Sequence, residues 1–127
     1  MTKTHDWVNV VSTLNLLTLE GKLTWERMDP PAAVAVGVND RIFNFFGTRY
    51  RGRNIGIHEE RYMTYNDDLD RYIWQNRIVL AFYTDQWDLQ IEVPKTAGLG
   101  ELFATVRRKE ANVEKFVSEL LSESAND

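Results

Sequence analysis

Trp87, Leu89, Ile91 and Val93 alternate with Asp88, Gln90, Glu92 and Pro94, and a period of two is the signature of a pleated strand with one apolar and one wet face. Immediately upstream, across the short turn Asp85-Gln86, lies a continuous apolar run from Ile78 to Tyr83. Within a strand spanning Tyr72 to Thr84, that run predicts burial on both faces near the centre of a sheet. The pair commits the chain to a sheet with a core on at least one side. Trp87, Leu89, Ile91 and Val93 are expected to point into that core.

The remaining strands follow from the same logic. Ile42 to Tyr50 and Asn54 to Met63 are rich in Phe, Ile, Tyr and Arg and flank Arg51-Gly52-Arg53, which predicts a hairpin with glycine at the strained turn position. Leu23 and Trp25 alternate with polar neighbours over Lys22 to Met28, a short half-exposed strand that Asp29-Pro30-Pro31 must end, because proline fixes φ and removes the backbone donor. Val34 to Val38 reads as a short strand or an extended loop. Asn66 to Asp70 reads as a polar, acidic loop.

Helical spacing is confined to the two ends. Trp7, Val10, Val11, Leu14 and Leu17 recur every three to four residues between a capping Thr4 or Asp6 and the stop at Gly21, predicting a helix over about Asp6 to Glu20. Leu102, Phe103 and Val106 resume that spacing after the Pro94 to Gly100 loop. Val113, Phe116, Val117, Leu120 and Leu121 form a second apolar stripe. Asn112 permits either a break or one long helix, and Ser122 to Asp127 should fray. Helix, strands, then helices predicts the α+β class: a mainly antiparallel sheet of five or six strands with the N-terminal helix and the C-terminal helices packed on one face. With 127 residues and no internal repeat or linker, residues 1–127 form one domain.

Composition narrows the chemistry. Cysteine is absent, which excludes disulfides, thiolate metal sites and a cysteine nucleophile, and suits a reducing cytoplasm. Met1 to Asp6 is polar and leads into an amphipathic segment without a signal-peptide core, and no apolar run is long enough to span a bilayer, so a soluble chain without membrane partners is expected. The net charge of −4 disfavours bulk attraction to nucleic acid. Locally the sign inverts: Arg41 to Tyr62 holds five arginines against Glu59 and Glu60, a net +3 that leaves −7 for the rest.

Motifs that carry chemistry are incomplete. His58-Glu59 opens like a zinc-protease signature, but Tyr62 stands where the second histidine belongs, so His58 reads as an exposed strand histidine. The only other histidine is His5. Asp67, Asp68 and Asp70 could hold a hard cation, yet Arg71 and Tyr72 occupy the positions where further ligands would stand, and a solvated turn accounts for them. Gly98-Leu99-Gly100 lacks the third glycine of a dinucleotide fingerprint and reads as a hinge at the start of a helix. No serine falls on a strand-to-helix elbow. No catalytic residue, metal ligand or cofactor is assigned.

Arg49, Arg51 and Arg53 recur every second residue and would share one face if strand geometry ran through the turn, with Tyr50, Tyr62 and Tyr65 adding flat contact area. Such a face could grip phosphates or a partner's carboxylates, or simply guard a sheet edge with charge. Arg49, Tyr50, Arg51, Arg53 and Tyr62 are therefore the candidate partner-binding residues.

The segment Leu16-Leu17-Thr18-Leu19-Glu20-Gly21-Lys22-Leu23-Thr24-Trp25-Glu26-Arg27, together with Leu99 to Leu121, resembles a group of small bacterial proteins without assigned activity. The resemblance implies a compact bacterial α+β domain and transfers no site residue. The expected function is a non-enzymatic protein-interaction module, an adaptor, regulator or toxin-neutralising partner, binding another protein or a second copy of itself. One alternative is nucleotide or nucleic-acid binding through the arginine and aromatic hairpin face. The other is a metal-dependent hydrolase using Glu59, Glu60 or the Asp67 to Asp70 loop.

Overall fold

The computed structural model of the chain describes residues 6–35 and 41–125. Its elements run α1 (Trp7–Leu19), β1 (Glu26–Arg27), α2 (Ala32–Ala35), β2 (Ile42–Tyr50), β3 (Arg53–Asn66), β4 (Arg71–Tyr83), β5 (Leu89–Glu92), α3 (Leu99–Glu110) and α4 (Val113–Ala125). Among the described residues five strands form one sheet in the order β1-β2-β3-β4-β5, every pair antiparallel. The expected α+β architecture is present. The Val34 to Val38 segment begins as the short helix α2, and its remainder lies outside the described residues.

Local chemistry explains the boundaries. The Asp6 carboxylate caps α1 by accepting from the Asn9 backbone N–H at 3.1 Å, and Gly21, with φ +76°, turns the chain out of the helix. The buried Thr18 hydroxyl donates to Leu14 O (2.7 Å) and accepts from the Trp25 indole (3.0 Å), fastening the β1 approach to the helix. Arg51 and Gly52 both have positive φ, which makes the β2–β3 connection a two-residue turn matched to strand twist. At Asn44, φ 54°, one extra residue bulges from β2 between the Phe43–Glu59 and Phe46–Ile57 pairs. Ordinary alternation sends Phe45 and Phe46 into cores on opposite sides of the sheet, and the bulge brings Phe43, three positions before Phe46, onto the same face as Phe46.

The main core lies between the sheet and helices α1 and α3, where Val11, Leu14, Leu99, Leu102, Phe103 and Val106 meet Phe46, Ile55, Ile57 and Leu80. A smaller core on the reverse face joins Ile42, Phe45, Ala81 and Tyr83, with Met28, Val34 and Trp87 against it. Gly56 makes room for it: a Cβ there would stand 2.6 Å from Phe45 Cζ and 2.9 Å from Tyr83 Cε2. The Ile78 to Tyr83 run is thus buried from both sides, as its lack of alternation predicts.

Three expectations on facing need correction. β5 is a four-residue edge strand whose Leu89 and Ile91 are exposed; only Val93, just beyond it, enters the helix-side core, and Trp87 packs on the reverse face. The chain breaks at Asn112 (φ 57°) into two helices, of which α3 packs on the sheet while α4 keeps its apolar stripe exposed. His58 is buried.

Candidate functional site

The arginine turn does not assemble as its spacing suggests. Tyr50 pairs with Arg53 and Arg49 with Asn54. Paired residues share a face, so Arg53 points to the helix side with Ile55, and Arg49 to the reverse side with Gly47. The two-residue turn interrupts the alternation and puts Arg51 at its tip. Arg51 stands 5.3 Å over the Tyr50 ring, and Arg53 donates to Gln90 Oε1 at 3.0 Å. Tyr62 lies nine positions from Arg53 along β3, about 30 Å away at strand spacing. Of the five candidate residues, four ring the turn on different faces and Tyr62 stands on another surface.

That other surface is the far half of the β3–β4 hairpin. β3 has 14 residues and β4 has 13, and they pair along their whole length, from Asn54–Tyr83 to Asn66–Arg71. β2 reaches only as far as Glu60, and β5 pairs only with Ala81 to Tyr83. Residues 61–66 and 71–77 therefore form a two-stranded arm with both edges unpaired among the described residues. Isolated two-stranded ribbons are marginal in water, and open strand edges are ready to pair. The arm's helix-side face carries Arg61, Met63, Tyr65, Tyr72, Trp74 and Asn76 in register. Trp74 is 45% exposed and lies beneath two guanidinium groups, Arg61 at 4.7 Å and Arg41 at 5.7 Å. A hollow of about 400 Å³ at the arm's root is lined by Phe43, Asn44, Glu59, Arg61, Trp74 and Asn76.

On the reverse side the arm carries the molecule's charged relay. Arg77 bridges Glu60 (3.1 Å) and Glu92 (3.4 Å), and the Glu60 carboxylate reaches to 3.6 Å from His58 Nε2. That last separation is beyond hydrogen-bond range. Neither ring nitrogen of His58 has a hydrogen-bond partner, and the ring stacks on Phe45 with centroids 5.4 Å apart. Burial lowers the His58 pKa below its ordinary 6.5, outweighing the nearby Glu60. Tyr83 is sealed in the same layer with its hydroxyl unpartnered, and burial pushes its pKa up to about 12. Glu60 and Arg77 line a groove of about 780 Å³ that passes between β4 and the start of α3. The groove offers paired charges, while the imidazole that could move a proton is only 1% exposed.

The acidic residues separate similarly. Glu59 faces the helix side and Glu60 the reverse side, and Asp67, Asp68 and Asp70 sit in the exposed turn at the arm's tip, where Asp70 accepts from the Tyr65 hydroxyl. Among the described residues no three His, Asp or Glu side chains stand close enough to share a metal ion.

The second large apolar surface is α4. Val113, Phe116, Val117, Leu120 and Leu121 lie along one side of this 13-residue helix and are all exposed, Phe116 at 60% and Leu121 at 67%. Glu114 flanks the stripe on one side, and Glu119 and Glu123 on the other, by helical geometry. The stripe is legible in the sequence, and its periodicity assigns it to a core. That the stripe stays largely exposed is a tertiary fact. No family model, no curated protein and no solved structure matches the chain.

Proposed function

We propose that this domain is a non-enzymatic protein-interaction module, with α4 and the β3–β4 arm as its binding surfaces. The carrying observation is the bare stripe of α4. Five large apolar side chains in a continuous row on one helix leave apolar surface in water at a cost of about 25 cal/mol per Å², and surfaces of that kind mark association sites. The arm adds the aromatic, methionine and arginine residues that interface cores favour: Trp74, Tyr65, Tyr72, Met63 and Arg61. The arginine turn contributes at most a rim, because its guanidinium groups diverge.

The test is co-purification from the native host with the full chain and with Leu120→Glu. A protein recovered reproducibly with the unmodified chain, and lost with the variant while the circular dichroism of the fold persists, supports the reading. Recovery that is indifferent to Leu120→Glu, or recovery of nothing but the chain itself as a monomer, counts against it.

A further inference from the structure

Resting on that reading, we infer that the partner of the α4 stripe is a second copy of this chain: α4 of one copy lies across the helix-side face of the other copy's arm, and the exchange is reciprocal. One chain displays both halves of the contact, each left open.

The halves match in length. Thirteen helical residues extend about 20 Å, and the arm face from Glu59 to Tyr65 extends about 20 Å at strand spacing. They also match in chemistry. Phe116, Val117, Leu120 and Leu121 meet Met63, Tyr65, Tyr72 and Trp74, all exposed in the single chain, and the hollow at the arm's root accepts a side chain the size of Phe116. Charge is complementary as well: the stripe is bordered by Glu119 and Glu123, and the arm face presents Arg41 and Arg61 over Trp74. None of these four charges has an ion pair among the described residues.

Closure onto the chain's own arm is opposed by the α3–α4 joint. Ala111 and Asn112 donate to Arg107 O and Lys109 O, Asn112 is in the left-handed region, and Arg108 pairs with Glu114 at 3.1 Å. These contacts join α4 to α3 in the arrangement that leaves the apolar stripe exposed. A single helix on a single ribbon is small beside a standard interface of roughly 1,600 Å². A two-fold arrangement doubles the contact, as closed symmetry does for self-complementary surfaces.

The absence of native cysteine makes the test direct. The purified Met63→Cys/Val117→Cys double variant, oxidised at micromolar concentration, should run as a covalent dimer on a non-reducing gel. An internally bridged, faster-running monomer, or no disulfide at all, overturns the inference. Light scattering on the cysteine-free chain should show a dimer. Leu120→Glu and Trp74→Ala should each raise its dissociation constant at least about thirtyfold, the loss typical of a central interface residue. Arg61→Glu should do the same and be rescued by Glu119→Arg in the same chain. A chain that stays monomeric overturns the second-copy inference alone, since α4-dependent recovery of a different protein would still sustain the interaction module.

Discussion

At the residue scale the least expected feature is His58. A histidine flanked by Ile57 and two glutamates reads as a surface residue, yet the ring is sealed between Phe45 and the strand layer with neither nitrogen bonded. Leaving buried polar atoms unmet costs about 1–3 kcal/mol. His58→Phe should therefore leave stability at neutral pH unchanged or raise it by about 1 kcal/mol. The pH dependence carries a definite sign. The native pKa lies below 6.5, so in the interval beneath 6.5 the unfolded chain takes up a proton that the native chain refuses. Stability is then full above 6.5 and falls as pH drops toward the native pKa. Glu60 at 3.6 Å reduces that loss and Arg77, bridged to Glu60, adds to it, but desolvation dominates. Urea midpoints at several pH values should fall less steeply for His58→Phe than for the unmodified chain. Parallel slopes would mean that His58 is not the group responsible.

At the element scale, strand positions were legible and strand facing was less so. The sequence pattern places β2 at its observed bounds, the hairpin turn at Arg51-Gly52-Arg53, one residue longer than the observed Arg51-Gly52, and the Ile78 to Tyr83 run as a strand buried on both faces. What failed was the inference from alternation to burial. Alternation in β5 shows that Leu89 and Ile91 share a pattern, but β5 sits at the sheet edge and pairs with only three residues of β4, beyond the cover of α1 and α3. The arginine turn failed for a related reason: two residues with positive φ reset the alternation, which spacing alone does not reveal. The arm was missed because its exposure depends on where neighbouring strands stop. One pair of substitutions separates pattern from burial. Leu80→Ala, at 0% exposure, should cost about 2–5 kcal/mol, whereas Leu89→Ala, at 44%, should cost less than about 1 kcal/mol. Equal shifts in denaturant midpoint would show that β5 is covered after all.

At the scale of the whole molecule, the chain divides into a cooperative body and two projections. The body is α1, α3, the sheet up to Glu60 and Arg77 and the segments that join them, and it contains every residue of both cores. Among the described residues of α4 none is buried. A chain ending at Asn112 should therefore fold with a denaturant midpoint close to that of the full chain at low protein concentration, although its helical signal falls. The two should diverge as concentration rises, because association stabilises only the native state of the chain that keeps α4, by an amount that grows with the logarithm of concentration. Unfolding followed at low and high concentration distinguishes the possible roles of the helix. Loss of stability on truncation at every concentration would mean that α4 is part of the body. A midpoint that rises with concentration only in the full chain would tie the exposed stripe to self-association and leave the core to α1, α3 and the sheet.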